Sequence, residues 1–174
     1  MNIYIEGPDC SGKTYLVDLF NKRIDGSEVI KCSPGAHADS SFYDKDLFNS
    51  YIDKKDKFYI YDRFFISELV YSDLYGREKN ITFDDAIDLF SKISHTDDVF
   101  IVLYESDPTT PILKERIKEK NELEYLDEIE EQNKKFIMYS YVFNTFNEYK
   151  TYYIIDISKF SKEKANSFVE EVLK

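Results

Sequence analysis

Gly7-Pro8-Asp9-Cys10-Ser11-Gly12-Lys13-Thr14 has the residue types and spacing to wrap a backbone around a phosphate. It satisfies G-x-x-x-x-G-K-[ST] at every fixed position. The glycines permit a tight turn in which successive N–H groups of Cys10, Ser11 and Gly12 point inward at an anion. A helix beginning just after the loop adds its positive end to that field. Lys13 would reach the β- and γ-phosphates of a nucleoside triphosphate, and the Thr14 hydroxyl would hold Mg²⁺. A second pair, Asp62-Arg63, follows the apolar run Phe58-Tyr59-Ile60-Tyr61. In open parallel sheets, ligands bind beyond the carboxyl ends of strands. There Asp62 can hold Mg²⁺ or its water. Arg63 offers a bidentate fork to a second phosphate group.

These groups need a scaffold that brings strand ends together, and the chain supplies the pattern for one. Short apolar runs near residues 2–6, 28–32, 57–62, 98–104 and 151–156 read as strands, most of them buried on both faces as in a parallel sheet. Amphipathic stretches near 12–25, 41–54, 64–76, 82–94, 108–121, 123–148 and 161–173 read as helices. Thr82 before Asp84 and Asp85, Asp107 before Pro108, and Ser161 before Glu163 are helix-start signals. The alternation predicts an α/β protein: a three-layer P-loop NTPase fold, with a five-stranded parallel sheet flanked by helices. The 174 residues suit one domain with a sizeable core and no internal repeat or linker.

Composition narrows the function. The net charge is −11, with no basic run of the kind that grips a duplex, so a nucleotide-sized substrate is favoured over a polynucleotide. Cys10 and Cys32 are too few for a disulfide framework, and with His37 and His95 they make no zinc pattern. No secretory signal or membrane-length apolar run is present, and a reducing, cytoplasmic setting fits. The two histidines read as loop or capping residues. Tyr139, Tyr141, Phe143 and Phe146 read as core or dimer packing. From Lys114 to Tyr125 the charges alternate in sign, which suits either a solvated helix face or a lid over transferring phosphates.

With these residues in view, the chain resembles the thymidylate kinase-like family of deoxynucleoside monophosphate kinases, as a compact member of the sort also found in bacteriophages. Asp62-Arg63-Phe64, Ser67 and Val70-Tyr71 follow the spacing of its Asp-Arg-Tyr-x-x-Ser-x-x-Ala-Tyr-Gln signature. Ile5-Glu6-Gly7-Pro8-Asp9 resembles its Ile-Glu-Gly-x-Asp opening, Pro34-Gly35 its Glu-Pro-Gly turn, and Leu113 to Lys120 its Leu-x-x-Arg-Ile-x-x-Arg lid. The resemblance implies that Gly7 to Thr14 bind ATP and that Thr14 and Asp62 position Mg²⁺. It implies that Arg63 binds the acceptor α-phosphate, with Asp9 near the acceptor sugar or phosphate and Ser67 in the same region. Tyr71 would pack where a ribose 2′-OH would sit, Phe42 or Phe64 would stack on the base, and Arg77 would be a second acceptor-side contact. Arg116 and Lys120 would be lid cations, the lid lying near 114–125. A homodimer through helices flanking the Asp-Arg motif is a further expectation.

The chain also departs from that pattern. Ser72 replaces the glutamine after Tyr71, which weakens the case for thymine. Cys32 and Ser33 precede Pro34 where an arginine is expected, Lys120 replaces the second lid arginine, and Cys10 stands where some members carry a P-loop arginine. Arg116 is therefore the best lid cation among four arginines: Arg23, Arg63, Arg77 and Arg116. The expected reaction is γ-phosphoryl transfer from ATP to a deoxynucleoside monophosphate such as dTMP. A deoxynucleoside kinase, with Glu68 as a candidate base, stays open. So do a kinase acting on a modified base in DNA and a switch module without turnover.

Overall fold

The strands alternate large aromatics with branched aliphatics, and this alternation sorts the molecule into layers. Successive side chains of a strand point to opposite faces. In the computed structural model, which describes residues 1–32, 43–106, 112–121, 125–146 and 151–174, Tyr4, Tyr61, Phe100, Val102 and Tyr152 lie in one buried cluster. Ile3, Ile5, Ile60, Ile101 and Leu103 lie in the other. The aromatic face explains the abundance of Tyr and Phe. Tyr4 stacks between its strand neighbours, 4.9 Å from the Tyr61 ring and 5.7 Å from Phe100.

The described strands are β1 (Asn2–Glu6), β2 (Glu28–Lys31), β3 (Tyr59–Asp62), β4 (Val99–Tyr104) and β5 (Tyr152–Asp156). They form one parallel sheet in the order β2-β3-β1-β4-β5. The sheet is the expected one, with β1 at its centre. β2 is an edge strand, so Glu28 and Lys31 are exposed rather than buried on both faces.

Helices α1 (Lys13–Arg23), α5 (Ile112–Glu119) and α7 (Lys162–Val172) contribute to the aliphatic cluster. Helices α2 (Lys45–Ile52), α3 (Phe65–Tyr75) and α4 (Phe83–Ser94) contribute to the aromatic one. Thr82 and Asp85 form a full capping box on α4, and Ser161 caps α7. α2 starts later than expected because Asp44 accepts the Leu47 N–H at 2.9 Å and sets the first turn there. The Asp107-Pro108 start, the Pro34-Gly35 turn, His37 and Phe42 lie outside the described residues. His95 caps α4, its Nδ1 2.6 Å from the Ser91 carbonyl.

Helix α6 (Leu126–Thr145) contributes to both layers. Ile129 belongs to the aliphatic cluster, and Phe136, Tyr139 and Phe143 to the aromatic one. Tyr141 and Phe146 are exposed. Among the described residues no helix is long and apolar enough to cross a membrane.

Candidate active site

The parallel sheet brings every strand's carboxyl end to one edge. There β1 runs into Gly7, β3 into Arg63, β4 into Glu105 and β5 into Ile157. At Gly7 the backbone lies at φ 148°, and a Cβ would stand 2.8 Å from the Leu103 carbonyl oxygen. At Gly12, φ is 96° and a Cβ would come within 3.1 Å of Arg116 Nη1. Conformation thus favours glycine at both positions, and at Gly7 the close approach of the Leu103 carbonyl excludes a side chain as well. Between them Cys10 holds a left-handed φ of 62°, and the Ser11 N–H donates to the Pro8 carbonyl at 3.3 Å. The loop therefore curls over the start of α1, where N–H groups are free of intrahelical partners.

Lys13, the first residue of α1, folds back across this loop. Its Nζ donates to the Gly7 carbonyl at 2.7 Å and the Pro8 carbonyl at 2.6 Å. Burial, reinforced by the nearby charge of Arg63, pulls the Lys13 pKa down to about 7. An anion beside it would restore the charged form. Ser11 Oγ is buried without a hydrogen-bond partner among the described residues. An orphaned hydroxyl in a phosphate-sized loop fits a ligand that brings acceptor oxygens.

Arg63 follows β3 with φ 71°, its N–H donating to the Ile5 carbonyl at 2.9 Å. This backbone turn sends the side chain toward the P-loop. The guanidinium lies 4.9 Å from the Tyr71 ring centroid, donates to Tyr71 Oη and is paired with the Asp9 carboxylate. Burial pushes the Asp9 pKa up, but the charges of Arg63 and Lys13 outweigh it and hold the carboxyl below its usual range. Burial also raises the Tyr71 hydroxyl well above the ordinary phenol value, despite the opposing charge of Arg63.

Lys13, Arg63, Arg116 and Lys120 line one cavity of about 340 Å³ together with Asp9, Cys10, Thr14 and Asp62. Arg116 arrives from α5 and donates to the Cys10 carbonyl at 3.0 Å. Four cations from three elements and the following turn thus converge on the P-loop. A larger cavity of about 650 Å³ adjoins it, sharing Gly12 and Arg116. Its walls include Tyr15, Leu16, Leu103, Ile112, Phe160 and Ala165, with Ser158 and Lys159 at the β5 end. One compartment is therefore small and charged, the other large and apolar.

The remaining sequence-predicted residues lie elsewhere. Ser67 is buried and donates to Glu6 rather than lining either cavity. Phe64 is fully buried in the aromatic layer, 4.6 Å from the Tyr4 ring. Arg77 pairs with the buried Glu68 at 3.4 Å, and Ser72 Oγ donates to Glu68 at 3.0 Å. Glu68 is thereby engaged on both oxygens.

Several contributors carried no local signal. Gln132 of α6 accepts the Asp9 N–H and donates to the Asp9 carboxylate across 123 residues. Glu6 accepts the Ile66 and Ser67 N–H groups and so caps α3 from another strand. Glu105 does the same for α5, accepting from Ile112 and Leu113. Its place at a strand's carboxyl end was the one signal that could have found it.

A Mg²⁺ ion bound with phosphates keeps several waters and needs only one or two protein oxygens. Thr14 and Asp62 line the charged cavity beside Lys13. That donor set fits the ion. No cluster of three or more His, Cys, Asp or Glu offers a dedicated metal cage among the described residues.

No protein-family model matches the chain, and no curated protein matches it. Solved structures do. The YorR protein of Bacillus subtilis, in complex with phosphorylated GDP, aligns with a TM-score of 0.76 at 20% identity, over 99% of this chain and 95% of that one. Deoxyadenosine kinase from M. mycoides with bound dATP aligns with a TM-score of 0.58 at 18% identity, over the full length of both chains. The same kinase with bound dCTP gives 0.58 at 19% identity, covering 99% and 98%. At such identities the likeness is one of fold, and it extends along the whole length of the chain.

Proposed function

We propose that this chain is an ATP-dependent nucleotide kinase that transfers the γ-phosphate of ATP to a deoxynucleoside monophosphate. The observation that carries the reading is the convergence of two cations from different elements, the buried Lys13 at the start of α1 and the partly buried Arg63 after β3, on one small cavity. A donor polyphosphate and an acceptor phosphate need one fixed charge each, with a third cation between them.

In this reading the apolar cavity takes the donor base and sugar, and the P-loop amides and Lys13 take its β- and γ-phosphates. Arg63 holds the acceptor phosphate, backed by the Tyr71 ring. An acceptor phosphate oxygen attacks the γ-phosphorus as the bond to the β-bridging oxygen breaks, leaving ADP. Arg116 and Lys120 neutralise the moving charge from a lid formed by residues near 114–125. Such transfer is mostly positioning and electrostatic stabilisation. Thr14 and Asp62 would hold Mg²⁺, which would supply positive charge to the donor phosphates. Tyr71 would pack where a ribose 2′-OH would lie and favour deoxyribose.

The monophosphate is preferred over the nucleoside on chemical grounds. A 5′-OH needs a base, whereas a phosphate oxygen is already anionic. Asp9 is paired with Arg63 and Gln132 with a lowered pKa, and Glu68 is buried against Arg77, so neither is a ready base. The full-length fold likeness to a deoxyadenosine kinase favours a second reading, transfer to the 5′-OH of a deoxynucleoside.

The deciding experiment is ADP release from Mg-ATP against each deoxynucleoside monophosphate, ribonucleoside monophosphate and deoxynucleoside. Turnover with one or a few deoxynucleoside monophosphates is expected. Turnover with nucleosides alone would replace this reading by the second one. ATP binding with no turnover on any acceptor would refute both.

A further inference from the structure

Midway along α6, where the helix passes from the aliphatic layer to the aromatic one, stand two adjacent amide residues, Gln132 and Asn133. Each makes a reciprocal pair of hydrogen bonds with a different half of the site. Gln132 is buried. Its Oε1 accepts the Asp9 N–H at 2.9 Å, and its Nε2 donates to Asp9 Oδ2 at 3.1 Å and to Tyr75 Oη at 3.3 Å. Asn133 Oδ1 accepts the Glu105 N–H at 2.9 Å, and its Nδ2 donates to the Glu105 carbonyl at 2.9 Å. A backbone N–H can only donate and a carboxylate or carbonyl can only accept. The partners therefore fix which end of each amide is which.

The two connections lead to different cations. Asp9 pairs with Arg63. The Glu105 carboxylate accepts the Ile112 N–H at 2.9 Å and the Leu113 N–H at 3.2 Å, so it caps α5 from outside. One turn further along α5, Arg116 donates to the P-loop carbonyl of Cys10 at 3.0 Å. We propose that Gln132 and Asn133 are positioning residues that reference the two sides of the transfer to one helix. Gln132 sets the acceptor side through Asp9 and Arg63. Asn133 sets the donor side through Glu105, α5 and Arg116. This rests on the kinase reading above. It adds that the spacing between Arg63 and Arg116, which must match the length of the transferring phosphate chain, is fixed by neighbouring residues of α6.

The test is a double dissociation between adjacent positions. Gln132→Met and Asn133→Leu keep side-chain bulk and remove the amide. Steady-state kinetics for ATP and for the best acceptor are measured on each, with calorimetric Kd values for a non-hydrolysable ATP analogue and for the acceptor, and with thermal melting as control. Gln132→Met is expected to raise the acceptor KM at least about tenfold, as losing hydrogen bonds to a charged group does, with ATP-analogue Kd within about twofold. Asn133→Leu is expected to weaken ATP-analogue binding and lower kcat by a similar factor, with acceptor KM within about twofold. If both variants shift the same parameters together, in step with lost melting temperature, the two residues are merely structural. If neither shifts them, the positioning role is also refuted. Should either variant fail to fold, Gln132→Glu and Asn133→Asp serve instead. They keep the accepting oxygen and turn the donor into a charged oxygen facing the Asp9 carboxylate or the Glu105 carbonyl, and the same split is expected. If the wild type turns over no acceptor, the kinase reading fails while this one is still judged. The analogue Kd must then respond to Asn133→Leu and not to Gln132→Met.

Discussion

Arg63 holds a left-handed backbone conformation that costs an L-residue about 1–2 kcal/mol, and it keeps that conformation at the end of a central strand beside a phosphate loop. Local strain persists where surrounding contacts enforce it. Here the Ile5 carbonyl, the Tyr71 ring and Asp9 do so. The reading of Arg63 as the acceptor clamp makes a sharp forecast. Arg63→Ala should cut acceptor-dependent turnover by about 10²–10³, the effect of losing one preorganised charge, while calorimetric ATP affinity changes little. Arg63→Lys should recover only part, because an ammonium lacks the planar fork that spans Asp9 and a phosphate. Near-full activity in Arg63→Ala would remove Arg63 from the mechanism. Gly12 allows an equally local test on the donor side. Its φ of 96° strains any L-residue, and a methyl group would stand 3.1 Å from Arg116 Nη1, which would have to give way. Gly12→Ala should weaken ATP binding at least about tenfold, a loss of about 1.4 kcal/mol. Unchanged affinity in a titration would show that the loop tolerates both the strain and a displaced Arg116.

At the scale of elements, carboxylates at strand ends organise the starts of helices. Phe64, at the N-cap of α3, offers no side-chain cap. Glu6 from β1 takes over, accepting the Ile66 N–H at 2.8 Å and the Ser67 N–H at 3.2 Å as well as the Ser67 hydroxyl. Glu6→Ala would leave these donors buried and unmatched, so urea denaturation should show a loss of about 2–4 kcal/mol. Glu6→Gln keeps one accepting oxygen and should lose clearly less. Asp156 plays the corresponding part after β5. Burial opposes its ionisation, but hydrogen bonds from Ser106 and Ser158 win and lower its pKa to about 2. The native state therefore binds fewer protons at this site than the unfolded chain between about pH 4 and pH 2. The stabilisation is present in full above that window and disappears as pH falls through it. Asp156→Asn should accordingly be up to about 2 kcal/mol less stable than wild type at pH 7, with the gap closing below pH 4. A gap independent of pH would deny the carboxylate that role. These devices also mark the limit of what the sequence discloses. Ile3-Tyr4-Ile5 and Tyr59-Ile60-Tyr61 announce buried strands because period and composition are local properties. Gly7 to Thr14 and Asp62-Arg63 announce chemistry because a phosphate loop and its opposing cation sit in short motifs. Gln132 and Asn133 act on the site across 28 to 123 residues of separation, and the Glu105 carboxylate on N–H groups seven and eight residues away, all on partners the fold selects. Nothing in Glu-Gln-Asn-Lys-Lys distinguishes Gln132 from a solvated amide. Ser67 shows the converse: motif spacing marked it for substrate, while its hydroxyl is buried on Glu6.

For the whole molecule, the distribution of charge matters more than its sum. The chain carries a net −11, yet Lys13, Arg63, Arg116 and Lys120 converge on a cavity of about 340 Å³ at the carboxyl edge of the sheet. A long polyanion would meet the negative surface as well as the pocket, whereas a nucleotide meets only the pocket. The charged cavity also opens, at Gly12 and Arg116, onto the apolar cavity of about 650 Å³. A dinucleoside polyphosphate could thus seat one nucleoside in the apolar cavity and run its phosphate chain through the charged one, past Lys13 toward Arg63. Linking two ligands makes the second binding event intramolecular, and the gain depends on whether the linker spans the sites. A dinucleoside pentaphosphate should therefore bind at least about 10² more tightly than ATP, and should raise the melting temperature further at equal concentration. A triphosphate linker, too short to place one nucleoside beyond Arg63, should lose that gain, and Arg63→Ala should lose it for the pentaphosphate too. Duplex DNA should not displace the compound at physiological salt. If pentaphosphate and triphosphate compounds bound alike, the two cavities would not be the two halves of one transfer site. The proposal that Lys13 and Arg63 serve different phosphate groups would then have to be abandoned.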